Sequence, residues 1–136
     1  MTEAQAARTR FMSQALGPIL IAVAVTIFAR YETLTLIMPT FTQAAPLILV
    51  TGVFTFIAGF FMLAAHHHFG SAAAIACTVL AVIFVLRGLS LAIVPDVVIG
   101  MATQISRVPV VLLGITALTG LVGVWLTFVG WFAKSV

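Results

Sequence analysis

Apolar residues run almost unbroken through four stretches of the chain, at 16–38, 46–65, 71–94 and 110–132, and polar or helix-breaking residues fall between them. About 20 apolar residues at 1.5 Å each cover a hydrocarbon core roughly 30 Å thick. Each stretch is therefore long enough to span a bilayer as an α-helix. The in-out alternation that a membrane β-barrel needs is missing, and helices are the other structure that satisfies its own backbone in lipid. The pattern predicts an all-α integral membrane protein: four transmembrane helices in a single domain over residues 1–136.

Punctuation supports these bounds. Gly17-Pro18 falls near the start of the first span and Pro39 after its end; Pro46 opens the second; Gly70 closes the second connection; Pro95 and Pro109 bracket the last one. The second connection is little more than residues 66–70, so the second and third spans must be antiparallel neighbours. The third, 96–108, carries Val97, Val98, Ile99, Met101 and Ile105 and is expected to form a short helix lying on the membrane surface.

The halves also resemble each other. Ile27-Phe28 followed by Arg30 and Pro39 recurs as Ile83-Phe84 followed by Arg87 and Pro95; a second proline, Pro46 or Pro109, then opens a glycine-bearing span. A two-span unit repeated in tandem predicts a pseudo-twofold axis along the membrane normal.

Composition fits lipid as the solvent: 63% of residues are hydrophobic and 7% charged, against roughly a quarter charged in a typical soluble domain. The net charge of +3 comes from scattered residues, so no basic stripe forms and nucleic acid is not an expected partner. A single cysteine, Cys77, rules out an intramolecular disulfide or a CxxC pair. Arg8 and Arg10 precede the first span as in a signal peptide. No small-residue cleavage site follows, so this helix is expected to stay. With Arg8, Arg10 and Lys134 beside the two ends and the histidine turn on their side, cytoplasmic termini in a bacterial inner membrane are expected. Trp131 suits an interfacial anchor, while Trp125 lies deeper.

Charge within a span needs a reason, because it is expensive in lipid. Arg30 and Arg87 are the candidates. They are expected at similar depth on equivalent helices, snorkelling to headgroups or converging on one anionic group that a guanidinium fork can hold. Glu32 lies about 200° around the helix from Arg30, so an inter-helix ion pair with Arg87 is its expected role. Tyr31 reads as an interfacial tip, and Asp96 as a cap of the short connecting helix or a partner of Arg107.

His66, His67 and His68 raise a metal hypothesis. On a helix adjacent residues point about 100° apart and cannot converge on one ion, and no Cys, Asp or Glu is near in sequence, so no metal is expected. A transmembrane bis-histidine haem has no ligands here either, and no cofactor is expected. The small-residue pairs Ala72 and Ala76, Thr116 and Gly120, and Thr119 and Gly123 are candidates for close helix packing, while Phe54, Phe56, Phe60 and Phe61 crowd several faces of the second span.

GxSxG, HExxH, a phosphate-binding glycine loop and a lysine within any span are all absent from the sequence. The reading that follows is a non-enzymatic accessory, assembly or scaffold protein working through helix packing with itself or a larger membrane complex, with membrane lipids as its surroundings. The alternative is a small transporter, channel or lipid-binding protein in which Arg30 and Arg87 hold an anionic group.

Overall fold

The computed structural model describes residues 2–133, with the side chain of Thr35 outside that description. It contains six helices: α1 (Glu3–Ala29), α2 (Tyr31–Gln43), α3 (Ala45–Ala65), α4 (Ala72–Ile93), α5 (Pro95–Ser106) and α6 (Pro109–Trp131). Four of them, α1, α3, α4 and α6, are long and apolar enough to cross a membrane, so the chain is a multi-pass all-α membrane protein.

The first span departs from its expected bounds at both ends. Thr2 and Gln5 form a capping box: the Gln5 N–H donates to the Thr2 hydroxyl at 3.3 Å, and the Thr2 N–H donates to the Gln5 side-chain oxygen at 2.9 Å. Two otherwise orphaned donors are satisfied there, so the helix starts well before the apolar run. Gly17-Pro18 consequently lies inside α1 rather than at its start. At the other end the backbone leaves the helix at Arg30, with φ −115° and ψ 21°, and resumes as α2. Pro39, expected beyond the first helix, sits inside α2. The remaining spans match closely, with Pro46, Pro95 and Pro109 each in the first turn of a helix, where a missing N–H is harmless. Ser71 caps α4 by accepting from the Ala74 N–H at 3.2 Å.

Two interfaces dominate: α1 packs along α6, and α3 along α4. The pairs meet where α1 touches α4, and Leu16, Leu20, Ala73, Cys77 and Leu126 form the core there. The short helices lead from one pair to the other: α2 from the end of α1 to the start of α3, and α5 from the end of α4 to the start of α6, with α2 and α5 touching each other. The opposite end gathers the first turns of α1, the last turn of α6 and the 66–71 turn, because Thr9 contacts His66 and the Arg10 side chain donates to the Gly130 carbonyl. Most large apolar side chains point outward, as a lipid-facing bundle requires.

Both halves read long, short, long, and their boundaries track at a shift of 64 positions: Ala29 and Ile93 end helices, Tyr31 and Pro95 begin them, Ala45 and Pro109 begin them again. Packing follows the same shift. Gly59 lies against the Val85 backbone and Gly123 against that of Ile21; Gly88 lies against Phe56 and Gly120 against Ala24. The sequence alignment of Arg30 with Arg87 and Pro39 with Pro95 does not follow these boundaries. At the structural shift Arg30 corresponds to Val94, and Arg87 to Val23.

Candidate functional site

Arg87 arises from an otherwise apolar helix, two turns before α4 ends. It lines a cavity of about 290 Å³ enclosed by α2, α3, α4 and α5, whose walls include Phe41, Ile83, Phe84, Leu91, Val98 and Ile99. Polar contributions besides Arg87 come from threonines. Thr42, Thr51 and Thr55 donate their hydroxyl protons to the carbonyls of Pro39, Leu47 and Thr51 at 2.9, 2.7 and 2.7 Å, so their protons are spent on their own helices. No described carboxylate lines the cavity. Among the described residues Arg87 enters no ion pair, and the exposed side chain lines a space that can take an acceptor for its donors.

A second cavity of about 350 Å³ adjoins the first through Met38 and Thr42. Gln43, Thr103, Ser106 and Arg107 give it a polar wall where α2 and α5 end. The cleft under the short helices thus grades from apolar with one cation on its wall to polar with a second cation near the helix ends, both arginines being exposed. The other half has Val23 where this half has Arg87.

Of the two arginines singled out by sequence, Arg87 lines the cavity, while Arg30 is exposed at the break between α1 and α2 and lines neither cavity. Glu32 is exposed in the first turn of α2 and lines neither cavity. Asp96 occupies the first turn of α5, favourable for a negative charge near a helix N-terminus.

The small residues also sort differently from expectation. Thr116 is buried and Gly123 lies against α1, while Gly120 faces Ala24; Thr119 is half-buried and donates to the Ile115 carbonyl at 2.8 Å. Ala72 is exposed and Ala76 half-buried, and the small residues that α4 buries are instead Ala73, Ala74, Cys77, Thr78, Ala81 and Gly88. The closest helix approaches fall at Gly17, Gly59, Gly88 and Gly130, outside the sequence-derived pairs. The seven-residue spacing of Gly52 with Gly59 and of Gly123 with Gly130, two helical turns on one face, was the available signal.

At the opposite end the histidines form an unexpected cluster. The backbone from 66 to 69 is not helical, so residues two apart can share a side, and His66 and His68 both reach Thr9. His66 Nε2 is 2.9 Å and His68 Nε2 3.1 Å from the Thr9 hydroxyl, with ring centres 4.1 Å apart. His66 Nδ1 lies 3.2 Å from the Thr78 hydroxyl, which donates to the His68 carbonyl at 3.1 Å. His67 points outward and is exposed. Among the described residues no three metal-ligating side chains cluster. One turn from Thr9, the Ser13 hydroxyl contacts the Cys77 sulfur at 3.7 Å.

No protein-family model, curated protein or solved structure matches the chain.

Proposed function

We propose that this protein is a non-enzymatic membrane binder of an anionic amphiphile, whose acidic group pairs with Arg87 while its apolar part occupies the cleft beneath α2 and α5. The observation that carries the reading is Arg87 itself, a cation without an ion pair among the described residues on the wall of an apolar cavity. An arginine within a membrane helix carries a cost, up to ~2.5–3.5 kcal/mol at the helix centre on insertion scales and less toward an end, which favours a role that uses it. A guanidinium matches carboxylate and phosphate groups through paired donors.

Gly123 and Gly120 face α1 within the same chain, so these small residues serve packing inside the monomer and do not argue for docking to a partner. For the arrangement in the membrane, the 64-position correspondence supports a tandem repeat about a pseudo-twofold axis. Arg8 and Arg10 at the end shared by both termini support a cytoplasmic placement in a bacterial inner membrane; Lys134, which belongs to the same inference, lies outside the described residues.

Native mass spectrometry of detergent-solubilised protein tests the ligand reading, with dioleoylphosphatidylglycerol, dioleoylphosphatidylcholine, oleate and inorganic phosphate offered separately. Wild type should retain an anionic amphiphile over the choline lipid, and Arg87→Ala should lose that preference while Arg30→Ala keeps it. Retention of inorganic phosphate alone would redirect the reading to a soluble anion. Equal retention of every lipid by wild type and Arg87→Ala would refute it.

A further inference from the structure

We propose that His66, His68 and Thr9 form a proton-operated latch holding the first turns of α1 on the 66–71 turn, released when the solution facing the termini becomes acidic.

Among the described residues, every hydrogen bond that ties Glu3 through Thr9 to anything beyond α1 and its Thr2 cap ends on His66 or His68: Thr9 to both imidazoles, and the Gln5 carbonyl to His68 Nε2 at 3.2 Å. The proton count then has a consistent neutral solution. Thr78 gives its single hydroxyl proton to the His68 carbonyl, so His66 Nδ1 must carry the proton that Thr78 accepts. A neutral His66 is then bare at Nε2 and accepts from the Thr9 hydroxyl, while His68 Nε2–H donates to the Thr9 oxygen and the Gln5 carbonyl.

A proton added to His66 leaves its hydrogen bonds makeable but puts an uncompensated charge in a buried site. Nε2 becomes a donor, and the Thr9 hydroxyl must turn to the Gln5 carbonyl, 3.0 Å away. The new charge sits on a side chain 1% exposed, facing another imidazole. Among the described residues no charged group on the surrounding elements offsets it: α3 and α4 place none at the ring; on α1, Glu3 and Arg8 are exposed and Arg10 is turned to Gly130; the turn itself adds His67 and His68. Burial, followed by His68, holds the His66 imidazole below its ordinary value. Protonation therefore favours a state in which the turn and the N-terminal turns of α1 separate and water reaches His66. Cys77 lies beside Thr78 and its sulfur contacts Ser13, one turn on from Thr9, so opening that carries this turn of α1 away with the latch uncovers the thiol.

The chain has one cysteine, which makes it a native reporter. The rate of Cys77 reaction with 4,4′-dithiodipyridine, which attacks thiols at low pH, is measured on the full chain in detergent from pH 7.5 to 5 and divided by the rate in denatured chain to remove intrinsic reactivity. The latch predicts a normalised rate rising by up to about tenfold per pH unit per proton taken up. His66→Gln with His68→Gln should abolish the rise, and Thr9→Val should leave Cys77 reactive even at pH 7.5. A flat wild-type profile, or a rise that survives in the double glutamine variant, would overturn the proposal. The wild-type profile decides the matter even where a variant fails to fold.

Discussion

Gly123 of α6 lies so close to Ile21 of α1 that a Cβ built on it would stand 2.9 Å from the Ile21 backbone nitrogen. Gly59 stands in the same relation to Val85. Lipid gives helices no hydrophobic drive to associate, so close backbone approach and the dispersion contacts it permits carry the association. Together with Gly17, Gly88 and Gly130, which approach the facing helices more closely than Gly123 does, these glycines set the spacing of the two main helix pairs.

Gly123→Leu should therefore destabilise the folded monomer by roughly 1–3 kcal/mol or more, the cost of overpacking against unyielding backbone. Gly114 has nothing within 4 Å of a built Cβ, so Gly114→Leu should be nearly silent. Thermal unfolding in one detergent, compared between the two variants, is the check; equal midpoints would mean that α1 and α6 do not meet through Gly123.

Arg87→Leu should pull stability and binding apart. Replacing an arginine without an ion pair by an apolar residue should make the ligand-free protein more resistant to heat, while retention of an anionic amphiphile is lost. Arg87→Lys keeps the charge without the paired donors and should bind more weakly than wild type. If Arg87→Leu is less stable than wild type and binds unchanged, Arg87 is a structural residue.

Much of this was legible beforehand. Apolar run length located three of the spans to within a residue or so, because proline and serine mark their starts with local chemistry that tertiary packing did not override. The first span misled because the apolar run continues across Arg30 with neither glycine nor proline at the break, while the capping box of Thr2 and Gln5 lies outside that run. Arg87 was visible as a charge in a span. Its cavity was not, since that depends on where α2 and α5 cross the bundle. The histidine cluster was hidden by the assumption of helical spacing at a place where the chain is extended and His66 and His68 share a side.

At the end of α6, the Gly130 carbonyl accepts from Arg10 Nε at 3.1 Å and from Gln14 Nε2 at 2.9 Å. It lies in the last turn, where carbonyls have no helical partner and a cation complements the helix dipole. Arg10→Ala should weaken this end by about 0.3–1 kcal/mol, with a further loss on adding Gln14→Ala. Hydrogen exchange should quicken at Phe132, whose N–H donates to the Phe128 carbonyl at 2.9 Å, and stay unchanged in α3. No change at Phe132 would show that the cap is dispensable.

His66 links stability to pH with a definite sign. Its folded-state value is lowered from 6.5, first by burial and then by His68, so below 6.5 the unfolded chain binds a proton that the native chain resists. Stability is full above that value, declines as pH falls through it, and levels off below the folded-state value. His66→Gln removes the titration and should flatten this part of the profile, provided its amide can still engage Thr9 and Thr78. His66→Ala removes two hydrogen bonds, although Thr9 and Thr78 keep their bonds to the Gln5 and His68 carbonyls, and should cost about 1–3 kcal/mol even at pH 8. Thermal midpoints from pH 8 to 5 separate the cases: a wild-type curve no steeper than that of His66→Gln would mean that His66 gains its proton in the folded protein as easily as in the unfolded one.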